Sequence, residues 1–179
     1  YHVLTGELSS QKTIAFVQQK RFALKEHFEI FADSTKSRII AVVKANKALD
    51  LGAAYTVLDD RGQFLGLIKK EFKKSIFNSS WTLYKDEVLN SPVFTVKEKS
   101  HALAITRRLW GFVPLAEFIP FPLKFHFVIE EEGRVVGEYS KLTLIKDKYA
   151  LMLEEKSSND MDVRVWITLA IMLDALESR

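Results

Sequence analysis

The chain has 179 residues, of which 47% are hydrophobic and 27% charged, a balance typical of a single soluble globular domain with a substantial core. It contains no cysteine, which excludes disulfides, thiolate metal sites and a cysteine nucleophile. The formal net charge of +3 is small, so we expect no nucleic-acid partner. The sequence shows no charged start followed by an apolar stretch, so we predict no signal peptide. We therefore predict one domain over residues 1–179, located in the cytoplasm, with peripheral membrane attachment compatible with this composition.

Four segments along the chain alternate large apolar residues with other types and end at an acid, which predicts β-strands. They are 28–33, 55–60, 81–86 and 125–130. Each acid introduces a turn; Asp59, Asp60 and Gly62, for example, supply the side-chain acceptor and the glycine that tight reversals need. A second apolar segment follows each turn and ends near a lysine. These second segments are 38–44, 64–70, 92–97 and 135–141. The repeated unit is thus a β-hairpin with an acidic turn and a basic exit.

Single strands are predicted between and beside these hairpins, at 13–18, 101–107, 113–119 and 149–155. The total approaches twelve, and so many strands curl, close or split rather than lie flat. Closure removes exposed edges, but the resulting barrel is too wide for strand side chains alone to fill. We predict a mainly β fold, a closed, roughly twelve-stranded antiparallel barrel with an element inside it.

The last segment supplies that element. Between Asp162 and Asp174 almost every residue is apolar, so a helix here is hydrophobic all round and belongs inside protein or lipid. The alternatives are a buried core helix, a membrane span and an amphipathic anchor. The segment is shorter than the ~20 apolar residues that a bilayer requires, which favours the core helix, predicted at about 161–177. Asn159, Asp160 and Asp162 suit its N-terminal cap. A buried Asp174 needs a partner that the sequence does not identify.

The hairpins and the apolar helix give the chain a resemblance to a known family. Two parts of the chain are similar to the tubby C-terminal-like superfamily. One is the order of 133–141, 147–153 and Asp162 leading into the apolar helix; the other is Asp59 to Gly62 followed by Gly66 and Lys69-Lys70. The resemblance is to its LURP-one-related and phospholipid-scramblase-like branch, whose bacterial members are called YxjI-like, and it covers roughly residue 12 to the end. It implies a twelve-stranded barrel threaded by a central hydrophobic helix. The proline-rich segment 110–122 departs from the family pattern.

No motif in the chain specifies a reaction. The four histidines lack ligand spacing, so we expect no metal site, and no nucleophile elbow, phosphate loop or dinucleotide fingerprint is present. We therefore predict no cofactor and regard an enzyme as less favoured than a binding module or a scaffold. A structure that places a perturbed acid or base in a polar pocket would favour that alternative.

Basic clusters beside apolar residues are the sharpest functional signal. The candidate binding residues are Lys69, Lys70, Lys73, Lys74, Arg107, Arg108 and Trp110. Such clusters suit an anionic membrane surface or a phosphate-bearing ligand, although lysines at strand ends are also ordinary solvated residues that protect sheet edges. The resemblance favours lipids, because tubby-like members bind phosphoinositide headgroups. We predict a non-catalytic module that binds anionic phospholipid; the alternative is a protein-interaction or regulatory scaffold that uses segment 112–125.

Overall fold

A computed structural model of the chain describes residues 1–6, 12–17, 27–46, 54–71, 80–99, 126–143 and 148–177. These residues form one antiparallel sheet of eleven strands, each paired with its neighbours in sequence. The strands are β1 (His2–Thr5), β2 (Lys12–Val17), β3 (His27–Phe31), β4 (Ile39–Asn46), β5 (Ala54–Asp59), β6 (Phe64–Glu71), β7 (Ser80–Tyr84), β8 (Pro92–Glu98), β9 (His126–Glu131), β10 (Arg134–Lys141) and β11 (Tyr149–Leu153). Two helices follow, α1 (Glu155–Asn159) and α2 (Val163–Glu177).

The four predicted hairpins are confirmed, and their acids close the turns. In the β5–β6 turn, Asp59 Oδ1 accepts the N–H groups of Arg61 and Gln63, each at 2.8 Å. Gly62 has φ +80°, a conformation that side-chain-bearing residues rarely adopt. Asp86 accepts backbone N–H groups in the β7–β8 turn in the same way. Each acid thus replaces hydrogen bonds that the reversing backbone cannot make with itself.

Several predicted strands differ from the structure or lie outside the residues that it describes. Strand β1 was not predicted, and the strand predicted at 149–155 ends at Leu153, where α1 begins two residues later. That short helix is entirely polar, so it carries no apolar period to reveal it. The strands predicted at 101–107 and 113–119 lie outside the described residues. Within the described ranges no pairing joins β1 to β11, so the sheet is not closed there and the closed barrel stays a prediction.

The sheet curves around α2. Every residue from Val165 to Ala175 is buried except the half-buried Ala170. A Cβ built on Gly66 of β6 would lie 2.9 Å from Val165 Cγ2, so the glycine allows helix and strand to approach closely. Further along the helix, Tyr139 Oη on β10 donates to the carbonyl of Ala170 at 2.9 Å. The core-helix prediction is confirmed, and no helix in the described part of the chain is long and apolar enough to cross a bilayer.

The N-terminus of α2 is held by Asp162, as predicted. Its Oδ1 accepts the backbone N–H of Arg164 at 2.8 Å, and the Arg164 guanidinium binds both of its carboxylate oxygens. The same guanidinium donates to the carbonyl of Ile40 on β4 at 3.0 Å. Hydrogen bonding from Arg164 lowers the pKa of Asp162. Asp162 therefore caps the helix, and the Arg164 that it holds fastens the first turn to the sheet.

We expect Asp162 to make the domain sensitive to acid. Because its pKa is lowered in the folded state, its contribution is present above the unfolded pKa of about 3.9 and is lost as the pH falls through the folded pKa. Asp162→Asn should therefore lower the stability at neutral pH and flatten its decline below about pH 4. Urea unfolding of both proteins across this range measures the difference. Parallel pH profiles would contradict the assignment.

Candidate functional site

The antiparallel pairing gives the sheet two chemically different ends. The first, called the turn end, comprises the end of β1 and the start of β2, the four hairpin turns that follow β3, β5, β7 and β9, α1 and the first turn of α2. Helix α1 belongs here because Ser157 Oγ donates to Glu131 Oε2 at 2.9 Å and Arg134 pairs with Glu154 at 2.7 Å. The second, called the lysine end, is where β4, β6, β8 and β10 finish. Helix α2 runs from the turn end toward the lysine end.

Acidic residues predominate at the turn end. Eleven lie there: Asp33, Asp59, Asp60, Asp86, Glu87, Glu131, Glu132, Glu154, Glu155, Asp160 and Asp162. Eight basic residues accompany them: Lys12, Lys36, Arg38, Arg61, Lys85, Arg134, Lys156 and Arg164. Since the N-terminus of a helix carries a partial positive charge, this excess of acids is favourable beside the start of α2.

The lysine end has the opposite balance. Its seven described lysines are Lys44, Lys69, Lys70, Lys97, Lys99, Lys141 and Lys148. Five acids accompany them: Glu71, Glu98, Glu138, Asp174 and Glu177. The C-terminal half of α2, with its partial negative charge, points to this end. The charges of the sheet thus complement the helix dipole at both ends.

The predicted pair Lys69 and Lys70 lies at the lysine end, but the two side chains are on opposite faces, because successive residues of a strand alternate. Lys69 is on the outer face with its side chain 15% exposed, and its Nζ is 3.7 Å from Glu71 Oε1. Lys70 is on the face that carries the core residue Ile68, and its Nζ lies 5.1 Å from the centroid of the buried Trp81 ring. They therefore do not form one cluster.

The other predicted site residues, Lys73, Lys74, Arg107, Arg108 and Trp110, lie outside the described residues. The topology nevertheless relates them, since they belong to the connections from β6 to β7 and from β8 to β9, both of which leave and return at the lysine end. The backbone N–H of Lys99 donates to the carbonyl of His126 at 2.8 Å, so the second connection begins and ends at one point of the sheet. The described strands that flank the two basic clusters thus finish and begin at one end of the sheet.

Three of the five connections at this end have an excess of basic residues, and the other two are neutral. The five are 18–26, 47–53, 72–79, 100–125 and 144–147, and together they contain ten basic and four acidic residues. Sequence reasoning noted that each hairpin ends near a lysine, yet it did not single out Lys44, Lys141 or Lys148 as site residues. The repeated basic exit was the signal, because antiparallel hairpins in chain order bring their exits to the same end of a sheet.

Several of these lysines are engaged within the sheet. Lys97 Nζ is 2.6 Å from Glu130 Oε2, and Lys99 Nζ is 3.3 Å from Glu138 Oε1. The hydrogen bond from Lys99 lowers the pKa of Glu138, whose other oxygen lies 3.0 Å from His126 Nε2. By contrast, Lys44 and Lys148 are exposed and pair with no acid in the described ranges, so they are the clearest candidates for contact with an external anion.

Aromatic rings accompany the inward-facing lysine of β10. Lys141 Nζ lies 5.7 Å from the centroid of Tyr149, and that ring stacks on Tyr139 with centroids 5.7 Å apart. Together with Lys70 over Trp81, this arrangement gives the inner edge of the lysine end two cation–π pairs. Each ring holds its ammonium group near the end of the sheet.

Asp174 is buried, as predicted, and its partner is Tyr1. Tyr1 Oη donates to Asp174 Oδ2 at 2.5 Å across 173 residues of sequence. This contact explains how an acid is tolerated in the apolar helix. It also separates Asp174 from Asp162, which lies at the other end of α2. In the described ranges no group of three His, Asp or Glu residues is placed to hold a metal ion.

A curved antiparallel sheet around an apolar C-terminal helix, with acids at one end and lysines at the other, defines a helix-centred β protein rather than an ordinary sandwich. The family model of LURP-one-related proteins matches residues 13–174. The chain belongs to the LURP-one-related family. Comparisons with curated proteins and with solved structures found no match.

Proposed function

We propose that this LURP-one-related protein is a non-catalytic binding module that places its lysine end on an anionic phospholipid surface. The observation that carries the proposal is the segregation of charge between the two ends of the sheet. The cytoplasmic location, peripheral attachment and closed twelve-stranded barrel predicted from the sequence are part of the same proposal. In this orientation the acidic turn end faces away from the lipid.

Electrostatic magnitudes make such contact reasonable. A cation near an anionic membrane contributes about 1 kcal/mol, and the attraction extends about one Debye length, roughly 8 Å at physiological salt. Lys44 and Lys148 are exposed at the lysine end, and the basic connections leave from the same end. Trp110, with its neighbours Arg107 and Arg108, suits the polar–apolar boundary of a bilayer. The binding should therefore be salt-dependent and independent of any reaction.

The test is flotation with vesicles of phosphatidylcholine alone or mixed with phosphatidylserine. Wild type should float only with the anionic vesicles. Lys44→Glu/Lys148→Glu should bind them at least about 30-fold more weakly, since the two lost cations alone amount to about 2 kcal/mol and the two new carboxylates are repelled as well. The matched control is Lys36→Glu/Arg61→Glu, which changes the net charge equally at the exposed turn end and should bind as wild type does.

Two outcomes would reject the proposal. If wild type does not float with vesicles that contain phosphatidylserine, anionic phospholipid is not the ligand. If both double variants lose the same amount of binding, only the net charge matters and not the end at which the charges lie.

The scaffold alternative stays a prediction because segment 112–125 lies outside the described residues. Its test is a pull-down with Trp110→Ala/Phe112→Ala, which should lose partners that wild type retains.

A further inference from the structure

Strand β11 is the last strand of the sheet, and it lacks the features that usually keep an edge strand from pairing with another molecule. Within the described ranges it pairs on one side only, with β10; the other is called here the open side. Its residues, Tyr149–Leu153, include no charge and no proline, and its pairing with β10 has no bulge. Because charges, prolines and bulges are what usually protect edge strands, the open side is suited to accept another strand.

The backbone groups that face the open side belong to alternate residues. The N–H of Leu142 donates to the carbonyl of Lys148 at 2.8 Å. At the other end of β11, the N–H of Glu154 donates to the carbonyl of Val136 at 2.9 Å. Since hydrogen-bonded pairs alternate along an antiparallel ladder, the even-numbered residues of β11 direct their N–H and C=O groups toward β10. The odd-numbered residues, with Leu151 at the centre, therefore direct theirs to the open side.

The segment around β11 is complementary to itself when a second copy lies antiparallel along the open side. A symmetric pair centres on a residue whose backbone faces the partner, which here is Leu151. In that register Lys148 of each copy lies opposite Glu154 of the other, and both residues are exposed. Ala150 of each copy lies opposite Met152, which is 58% exposed. Opposite charges and a small residue against a large one are favourable cross-strand pairs, and the register brings no like charges together.

We propose that two copies of this protein pair edge to edge through β11, antiparallel and centred on Leu151. A contact of this kind uses the same surface of both molecules and therefore stops at a dimer. A copy fits the edge better than β1 does. Every pairing between neighbouring strands is antiparallel, so β1 and β11 run in the same direction and would pair parallel. The dimer and the closed barrel compete for the open side, whereas lipid binding at the lysine end requires neither.

Leu151→Pro tests the central hydrogen bonds of the dimer. The N–H of Leu151 faces the open side, so β10 does not use it. Proline is therefore compatible with this edge position, yet it removes the central donor of each copy. Leu151→Ala is the matched control, because it also shortens the half-buried side chain but keeps the N–H. By sedimentation equilibrium, wild type and Leu151→Ala should be dimers at a concentration where Leu151→Pro is a monomer, with thermal transitions verifying that each variant folds.

Cysteine pairing tests the register without a proline. The chain contains no cysteine, so one introduced cysteine can form a disulfide only between molecules. In the proposed register Ala150 and Met152 of two copies form a non-hydrogen-bonded pair with Cα atoms about 4.5 Å apart, a separation that a disulfide can span. An equimolar mixture of Ala150→Cys and Met152→Cys should crosslink faster than either variant alone. The control is Val135→Cys, which is 49% exposed on β10 and should not crosslink.

Three results would overturn this dimer: a monomeric wild type, a Leu151→Pro protein that stays dimeric, or Val135→Cys crosslinking as fast as the mixture. A monomeric wild type would favour the closed barrel instead. None of these measurements contains lipid, so their failure leaves the proposed function intact. A dimer that does not float with anionic vesicles would reject only the proposed function.

Discussion

An Ile171→Asp chain is expected to be unfolded throughout, strands as well as helix. Ile171 is 3% exposed and its helical neighbours Met172 and Leu173 are fully buried, so a short carboxylate at this position cannot reach water. A buried unpaired charge costs several kcal/mol, a large part of a total stability of about 5–15 kcal/mol. Circular dichroism should show no cooperative thermal transition, because α2 is the common core of the whole sheet.

The control for this result is on the same helix. Val163→Asp introduces the same side chain at a position that is 55% exposed, in the first turn where an acid is favourable. This variant should keep the wild-type transition. An Ile171→Asp protein that unfolds cooperatively near the wild-type temperature would mean that the sheet does not enclose α2.

Gly137→Ala should destabilise the domain by about 3 kcal/mol, at the upper end of what overpacking usually costs. Gly137 lies on β10 opposite Leu153 of β11. A Cβ at this position would be 2.6 Å from the carbonyl oxygen of Met152 and 2.7 Å from Leu153 Cδ2. A backbone atom cannot rotate away as a side chain can, so β11 must move, and α1 begins directly after it.

For a chain of this size, 3 kcal/mol corresponds to a fall of about 6–12 °C in Tm. Calorimetry measures it, with Ser140→Ala on the same strand as the comparison, because Ser140 is only partly buried and its replacement adds no atoms. The Ser140 variant should melt near wild type. A Gly137→Ala protein that melts with it would show that β10 and β11 have room for the methyl group, contrary to the close approach described.

The hairpins could be predicted because their signals are local. Segments 55–60 and 64–70 became Ala54–Asp59 and Phe64–Glu71, since alternation and turn chemistry act between residues close in sequence. The apolar segment likewise became Val163–Glu177. The partner of Asp174 could not be predicted, because Tyr1 meets it only after the chain has folded, and no property of a single tyrosine marks such a contact in advance.

The candidate site likewise combines features that could be predicted from the sequence with features that only the structure revealed. Lys69 and Lys70 were identified as basic residues at a strand exit, which is correct, but their treatment as one cluster was wrong. Adjacent strand residues point to opposite faces, so one lysine pairs with Glu71 outside and the other lies over Trp81 inside. The placement of the two lysines on opposite faces could have been predicted from strand periodicity once 64–70 was assigned as a strand. Which face is the inner one required the helix to be in place.

The sequence by itself determined the acidic turns, the basic exits and the apolar helix, because each depends on residue types within a few positions of one another. Only the tertiary structure decided that these features form two opposed ends. Antiparallel pairing in chain order brings every hairpin turn to one end and every basic exit to the other, and α2 aligns its dipole with that separation. A net charge of +3 conceals this polarity, since a sum over the chain carries no positions.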